Sequence, residues 1–427
     1  MFTNKKRTIM KNPFKDVCAA PHRGEKLRIL IHGSEHKRHA EQFVSIKSAL
    51  ENTDAECIYF ISNTKAVSTD FTPKNFFLHK FRDILWDKFG LVKNNFNKNR
   101  WDWSYLDGNG KFIEYSPENP LSKSWSYWCK PIKCNLPWKP DVVLCISPHE
   151  GHTKYQLIPW ANKNEIPVIS IDHGCPMTKH DFGEYRGSMM GCVANIVWGR
   201  EAVEINASYG APSELQIPIG SPALDDLGKF LKKEKKDMQL NYGIEGFEKV
   251  ILLMTTHREP LKSHCDLIFK EIVEKYSTLD SIKIVVKPHP TELLNGSLMS
   301  FPENVMVITS QSDLHQLIAM SDLVVSPASS TIIPAMGLKI PYVNLLQPGM
   351  NLPNEQKYIE LNKRLGEGIL SYEQMDAFLK GDVSIDYDAL EDAFTRYGTS
   401  LNGNNGMKIV ELCEFVASGK NVMEFKI

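Results

Sequence analysis

A chain of 427 residues is longer than one hydrophobic core usually supports, so two domains is the starting expectation. Apolar residues at 42% and charged residues at 24% suit a soluble globular enzyme. The net charge of −1 removes any whole-molecule field that would draw nucleic acid as partner. No stretch approaches the roughly 20 apolar residues of a membrane span, and the N-terminus lacks the apolar core of a signal peptide; the expected location is the cytoplasm.

The nine cysteines have no repeating spacing. Cys145 lies in an apolar strand pattern and Cys413 on an apolar helix face, as reduced buried thiols do. Cys129 and Cys134 have no second Cys or His pair at ligand spacing, so no metal site is expected. Residues 1–26 form a basic tail with Lys5, Lys6, Arg7, Lys11 and Lys15. It reads first as a solvated terminus. The alternative is peripheral contact with the anionic inner face of a membrane, where each basic residue adds about 1 kcal/mol.

In chain order, Leu27–Ile31 reads as a buried strand ending at His32-Gly33-Ser34, followed by a helix and a second strand at Cys57–Ile61. Residues from about 70 to 138 break the rhythm and hold Trp86, Trp101, Trp103, Trp125, Trp128 and Trp138, which marks an insertion. These tryptophans are a local core or a surface for stacking sugar rings. Strands resume at Asp141–Ile146, Pro167–Ile171 and Asn195–Trp198, the last taken as the final strand of an N-terminal domain over 27–220. Leu224–Lys236 is a charged helical connector, and 221–427 forms the C-terminal domain. There, strands at Val250–Met254, Ile282–Val286, Val305–Ile308, Leu323–Val325 and Pro341–Leu345 alternate with helices. Such alternation predicts an α/β fold with parallel, doubly wound sheets, in which ligands meet the carboxyl ends of strands. Met407–Ala417 has helical apolar spacing that would let it pack back across the domains.

The chemistry-bearing residues cluster at those strand ends. Ser329, Ser330 and Thr331 stand between a strand and the helix starting near Ile332. Hydroxyls there either cap the helix or, with its unpaired N–H groups, bind phosphate. In Lys287-Pro288-His289-Pro290 two prolines fix the backbone, so His289 is held at the sheet's carboxyl edge with Lys287 adding charge. In Thr255-Thr256-His257-Arg258-Glu259, Arg258 is a candidate for donor phosphate, and Glu259 a partner for it. In the first domain, His173 follows a strand in Asp172-His173-Gly174, which is either a tight turn or a positioned base. Ser147-Pro148-His149-Glu150-Gly151-His152 offers acceptor contacts through His149, and Glu150 as an alternative base. His32-Gly33-Ser34 is either a turn or an acceptor-side loop.

The order of these motifs resembles the donor-binding half of GT-B transferases that build bacterial surface polymers. Thr-Thr-His-Arg-Glu, Lys-Pro-His-Pro, Ser-Ser-Thr and Pro-Ala-Met-Gly-Leu-Lys-Ile-Pro-Tyr follow one another over most of residues 250–345. The nearest resemblance is to CDP-glycerol glycerophosphotransferases and to capsule polysaccharide proteins, including Kdo transferases. Bacterial sialyltransferases are similar in their His-Pro and paired Ser/Thr motifs, and Asp172-His173-Gly174-Cys175-Pro176 is similar to the His-Gly-x-Pro of the glycerophosphotransferases. The resemblance implies a GT-B fold, two Rossmann-like domains facing a cleft. It implies His173 as general base or phosphate contact, and His289, Ser329, Ser330 and Thr331 as ligands of donor phosphate. His32 and Gly33 resemble an acceptor-side loop. The implied activity is transfer of a sugar or polyol-phosphate from a CMP- or CDP-linked donor to a glycan or lipid-linked acceptor, with no cofactor and no metal. Two alternatives remain. One is an enzyme like UDP-N-acetylglucosamine 2-epimerase, suggested by Thr256-His257-Arg258-Glu259, although that family's Gly-Gly-x-x-Glu-Glu segment is replaced by Ser329-Ser330-Thr331. The other is a nucleotide-sugar-binding subunit without chemistry.

Overall fold

The structure is a computed structural model that describes residues 26–33, 37–61, 139–146, 158–172, 174–176, 192–208, 211–257, 259–309, 314–327, 329–345, 364, 369–398, 401 and 403–427. The basic tail up to residue 25 and the tryptophan-rich stretch lie outside the described residues. The chain divides into two compact units. The first comprises Met1–Cys175, Phe182–Ala223 and Asn404–Ile427, and the second Pro176–Asp181 and Leu224–Gly403.

The first unit is built on six parallel strands, β1 (Arg28–Gly33), β2 (Glu56–Ile61), β3 (Val142–Ile146), β4 (Val168–Ile171), β5 (Ala194–Ile196) and β6 (Gln216–Ile217), in the order β2-β1-β3-β4-β5-β6. Helices α1 (Lys37–Leu50), α2 (Ile158–Lys163) and α3 (Arg200–Ser208) lie between them in sequence. Both faces of the sheet are covered, which is why β3 reads as the unbroken apolar run Val-Val-Leu-Cys-Ile. Alternation divides it. Ile29, Ile31, Val142 and Leu144 enter one core with Ile46 of α1, while Leu30, Val143 and Cys145 join Ile158 and Ala161 of α2 in the other.

Two sequence expectations are corrected here. The sheet does not end at 195–198, because Gln216–Ile217 adds a sixth strand; two residues are too few to show a period. The last 24 residues leave the C-terminal domain expected over 221–427. Helix α12 (Asn405–Ala417, numbered after the helices below) places Ile409, Val410, Leu412 and Cys413 in the core of the first unit, beside α1 and β3. Burying that apolar face outweighs continuity of the chain. Asn405 Nδ2 also donates to the Ser221 carbonyl at 3.1 Å.

The second unit holds β7 (Lys249–Met254), β8 (Ile282–Lys287), β9 (Met306–Val307), β10 (Leu323–Ser326), β11 (Tyr342–Asn344) and β12 (Ile369–Leu370), all parallel in the order β12-β11-β10-β7-β8-β9. The expected connector over 224–236 is broken into α4 (Gly228–Leu231) and α5 (Lys235–Leu240). They are followed by α6 (Leu261–Tyr276), α7 (Pro290–Asn295), α8 (Leu314–Ala319), α9 (Ile332–Gly337), α10 (Met375–Lys380) and α11 (Tyr387–Gly398). The chain starts at β7, winds outward to β9, then returns to β10 on the other side of β7 and winds outward again. Counted from β7, this is the 3-2-1-4-5-6 order of a doubly wound nucleotide-binding fold, and its switch point is the β7/β10 junction. Helix α9 is pressed onto α11, since a Cβ on Gly337 would lie 2.6 Å from Phe394 and one on Gly398 would lie 2.8 Å from Ile333.

Candidate functional site

The register of the second sheet brings the sequence motifs to one level. Met254 pairs with Lys287, and Val325 with Leu253, so β7, β8 and β10 end together, with β7 between the other two. At about 4.8 Å per strand, the His289 and Ser329–Thr331 segments leave the sheet roughly 10 Å apart, flanking Thr255-Thr256-His257.

His289 is held by a set of hydrogen bonds centred on its own backbone. Pro290 occupies the first turn of α7, where its missing N–H costs nothing, and His289 is the N-cap. Its N–H donates to Thr255 Oγ1 at 2.9 Å and to Glu292 Oε2 at 3.1 Å. Its ring Nδ1 accepts from the Thr291 N–H at 3.2 Å, which completes a capping box with Glu292. An Nδ1 that accepts a bond carries no proton, so the ring is the Nε2–H tautomer, with Nε2–H as its donor. Gly296 closes α7 in the left-handed conformation, φ 63°. The His257 ring lies against that of His289, centroids 4.1 Å apart at 31°, and its Nδ1 is buried with no hydrogen-bond partner among the described residues.

The His289 N–H meets a charged cluster in which Glu292 and Lys262 are buried. Glu292 is 0% exposed and accepts from the Thr255 hydroxyl and, through Oε1, faces Lys262 Nζ at 3.2 Å. Lys262 also pairs with Asp266. Burial pulls the Lys262 ammonium down, and its bonds to Asp266 and Glu292 more than offset this, leaving its pKa above the ordinary lysine value.

Across β7, the helix α9 is preceded by a turn in which the Ile332 N–H donates to the Ser329 carbonyl at 3.0 Å and the Ile333 N–H to the Ser330 carbonyl at 3.2 Å. Thr331, at the N-cap, makes no side-chain capping bond. Ser329 Oγ accepts only a long 3.5 Å bond from the Thr331 N–H, and the half-exposed Ser330 hydroxyl has no hydrogen bond among the described residues. Thr331 differs: its oxygen is buried beside the Tyr342 phenol, which donates to the Pro327 carbonyl at 2.9 Å and whose pKa burial pushes far above the usual range.

Other expected site residues fall elsewhere. Lys287 ends β8 rather than capping it, and its Nζ donates to the Ile308 carbonyl beyond β9 at 3.3 Å. His32 and Gly33 belong to β1 itself and not to a loop beyond it; His32 is 1% exposed on the Leu30 face of the sheet, paired between Phe60 and Cys145. His173, His149, Glu150 and Arg258 lie outside the described residues. Asp172 is described: its carbonyl accepts from Trp198 Nε1 at 3.0 Å and Gln42 Nε2 at 3.2 Å, and its carboxylate from Asn195 Nδ2 at 3.5 Å. The carboxylate is thus bonded within the sheet edge. Among the described residues no group of three or more His, Cys, Asp or Glu is arranged to hold a metal.

Thr255, Lys262 and Glu292 were not singled out from the sequence. The signal was the N-cap-x-x-Glu spacing of His289 and Glu292, hidden because histidine is not a usual cap.

Residues 199–345 match the family described as CDP-Glycerol:Poly(glycerophosphate) glycerophosphotransferase. The match spans β7 to β11 and so includes every element of this site. The chain resembles glycerophosphotransferase-type transferases there. No curated protein matches it in sequence. Among solved structures, one of the wall teichoic acid polymerase TagF with CDPG is 14% identical, with a TM-score of 0.53 over 91% of this chain and 88% of that one. A putative UDP-N-acetylglucosamine 2-epimerase from Listeria monocytogenes is 15% identical, with a TM-score of 0.56 over 94% and 100%. The S. aureus MnaA-UDP co-structure is 14% identical, with a TM-score of 0.54 over 91% and 96%. At these identities the likeness is one of fold: α/β, two Rossmann-like domains of GT-B type.

Proposed function

We propose that this chain transfers a polyol-phosphate or sugar from a cytidine-activated donor to a glycan or lipid-linked acceptor in cell-surface polymer synthesis. The observation that carries the reading is the carboxyl edge of the second sheet. There a tautomer-fixed His289 and the little-engaged hydroxyls of Ser329 and Ser330 flank the switch point, inside the segment matching the glycerophosphotransferases. These groups donate hydrogen bonds to the donor phosphates, and such donors stabilise a departing nucleotide without a metal. In polyol-phosphate transfer the acceptor oxygen forms a bond to the donor's distal phosphorus, the bond from that phosphorus to the bridging oxygen breaks, and CMP leaves. The acceptor proton passes to His173, with Glu150 the alternative base. Arg258 adds charge to the same phosphates. The proposed location is the cytoplasm, with the basic tail at a membrane face. No helix among the described residues is long and apolar enough to cross a membrane.

The thermal midpoint in the presence of CMP, CDP, UDP and GDP tests the donor class, because a selective ligand stabilises the fold by mass action. The reading expects the cytidine nucleotides to raise the midpoint most. Stabilisation by UDP alone, with conversion of a UDP-sugar in the absence of any acceptor, would favour the epimerase reading. That alternative draws on the equally similar fold of the 2-epimerase structures.

A further inference from the structure

A carboxylate with 0% exposure is expensive to keep, and Glu292 is kept at the base of the site. Its pairing with Lys262 does not explain it, since a buried ion pair is often replaceable by apolar residues of similar volume without loss of stability. Capping α7 does not explain it either, since Ser, Thr, Asp or Asn caps a helix without a buried charge beneath it. What Glu292 does contact is the machinery around His289. It accepts from the His289 N–H and from the Thr255 hydroxyl, and that same hydroxyl accepts from the His289 N–H. The ends of β7 and β8 and the start of α7 are joined at this one carboxylate. The geometry it holds is the one in which His289 Nδ1 receives the Thr291 N–H.

We infer that Glu292 is a positioning residue that, with Thr255, sets the orientation and the Nε2–H tautomer of His289 without touching the ligand. The inference deepens the proposed donor-phosphate site and rests on His289 meeting phosphate there. Lys262 balances the charge that this role requires, which is why it is buried with it.

The test uses the full chain labelled with ¹⁵N-histidine, with the His289 tautomer read from long-range ¹H–¹⁵N correlations before any nucleotide is added. CMP affinity is then measured by calorimetry. The decisive variant is the double replacement Lys262→Met/Glu292→Leu, which removes the buried ion pair and leaves only the partly exposed Asp266 charged. It is expected to melt at or above the wild-type temperature, to show His289 as a mixture of tautomers, and to bind CMP roughly tenfold more weakly, as loss of a partner behind a liganding histidine does. Lys262→Met/Glu292→Gln, which restores a neutral acceptor, should recover the Nε2–H tautomer and most of the affinity. If the first double variant does not fold, Thr255→Val, which cuts the hydroxyl link and spares the ion pair, should show the same mixing. A folded variant of either kind with wild-type tautomer and wild-type CMP affinity overturns the inference. If the tautomer changes as expected but the wild-type chain binds no CMP, the functional reading falls and the positioning role stands.

Discussion

His32 and His289 both sit at the carboxyl end of a parallel strand, and the fold uses them in opposite ways. His32 remains inside β1, 1% exposed and packed with the Leu30 face of its sheet. His289 leaves β8 between two prolines, and its ring caps α7 while Thr255 and Glu292 hold its backbone. A histidine at a strand end becomes a candidate ligand-binding group only when the backbone turns it out of the sheet and buried partners hold it there. The two surroundings differ in charge as well. The Leu30 face of that sheet holds an apolar cluster with the buried Ser170 beside Cys145, while Glu292, which accepts from the His289 N–H, is joined to Lys262 and through it to Asp266.

The largest effect that would sharpen this contrast comes from Lys262→Met alone. It leaves Glu292 buried and unpaired, and should cost about 3–5 kcal/mol of stability in a urea titration. A loss under about 1 kcal/mol would mean that Glu292 is neutralised or reached by solvent. The pair has a pH signature. Lys262 has a raised pKa in the folded chain, so the stability it confers is complete below the ordinary lysine value of about 10.4 and disappears as pH rises through the higher folded value. Urea midpoints measured on both sides of that window should fall in the wild type and fall less in Lys262→Met/Glu292→Leu, where the other groups with raised values, Lys339 and Tyr372 among them, still contribute.

His32→Ala comes next. It should cost about 2 kcal/mol or more through the cavity it opens, with nucleotide affinity unchanged. Weaker CMP binding in this variant would break the comparison, because it would give the buried histidine a part in the donor site. His289→Ala should cost about 1 kcal/mol, the usual loss of an N-cap, together with most CMP affinity. His289→Asn restores a favoured cap, so it should recover the stability without the affinity, and calorimetry alongside thermal melts separates the two. Ser330→Ala should change stability by less than about 0.5 kcal/mol, since the hydroxyl has no hydrogen bond among the described residues. Its CMP affinity should still fall.

Strand runs such as Val142–Ile146 and Val250–Met254 were legible because strands buried on both faces are apolar without interruption. The two-residue strands β6 and β12 were not, because they are too short to show a pattern and exist only by pairing with their neighbours. The apolar face of α12 was visible in the sequence, but the core it enters was not, since that depends on tertiary burial. At the site, the proline-locked His289 and the hydroxyl run were apparent from residue type and order. The partners that hold them were hidden. Glu292 looks like an ordinary charge in the first turn of a helix, and Lys262 like a surface residue of α6, until their burial is seen. For Thr331, residue type suggested ligand binding but did not show that its oxygen is buried beside Tyr342.

The central claim is that His289 and the Ser329–Ser330 hydroxyls together grip one donor phosphate group across β7. A double-mutant cycle on CMP affinity, using His289→Asn, Ser330→Ala and the pair, measures this directly by titration calorimetry. The account predicts that each change weakens binding and that the two losses are non-additive, coupled by about 0.5 kcal/mol or more as groups sharing one partner are. Wild-type CMP affinity in both single variants, or failure of CMP to bind the unaltered chain, would contradict it.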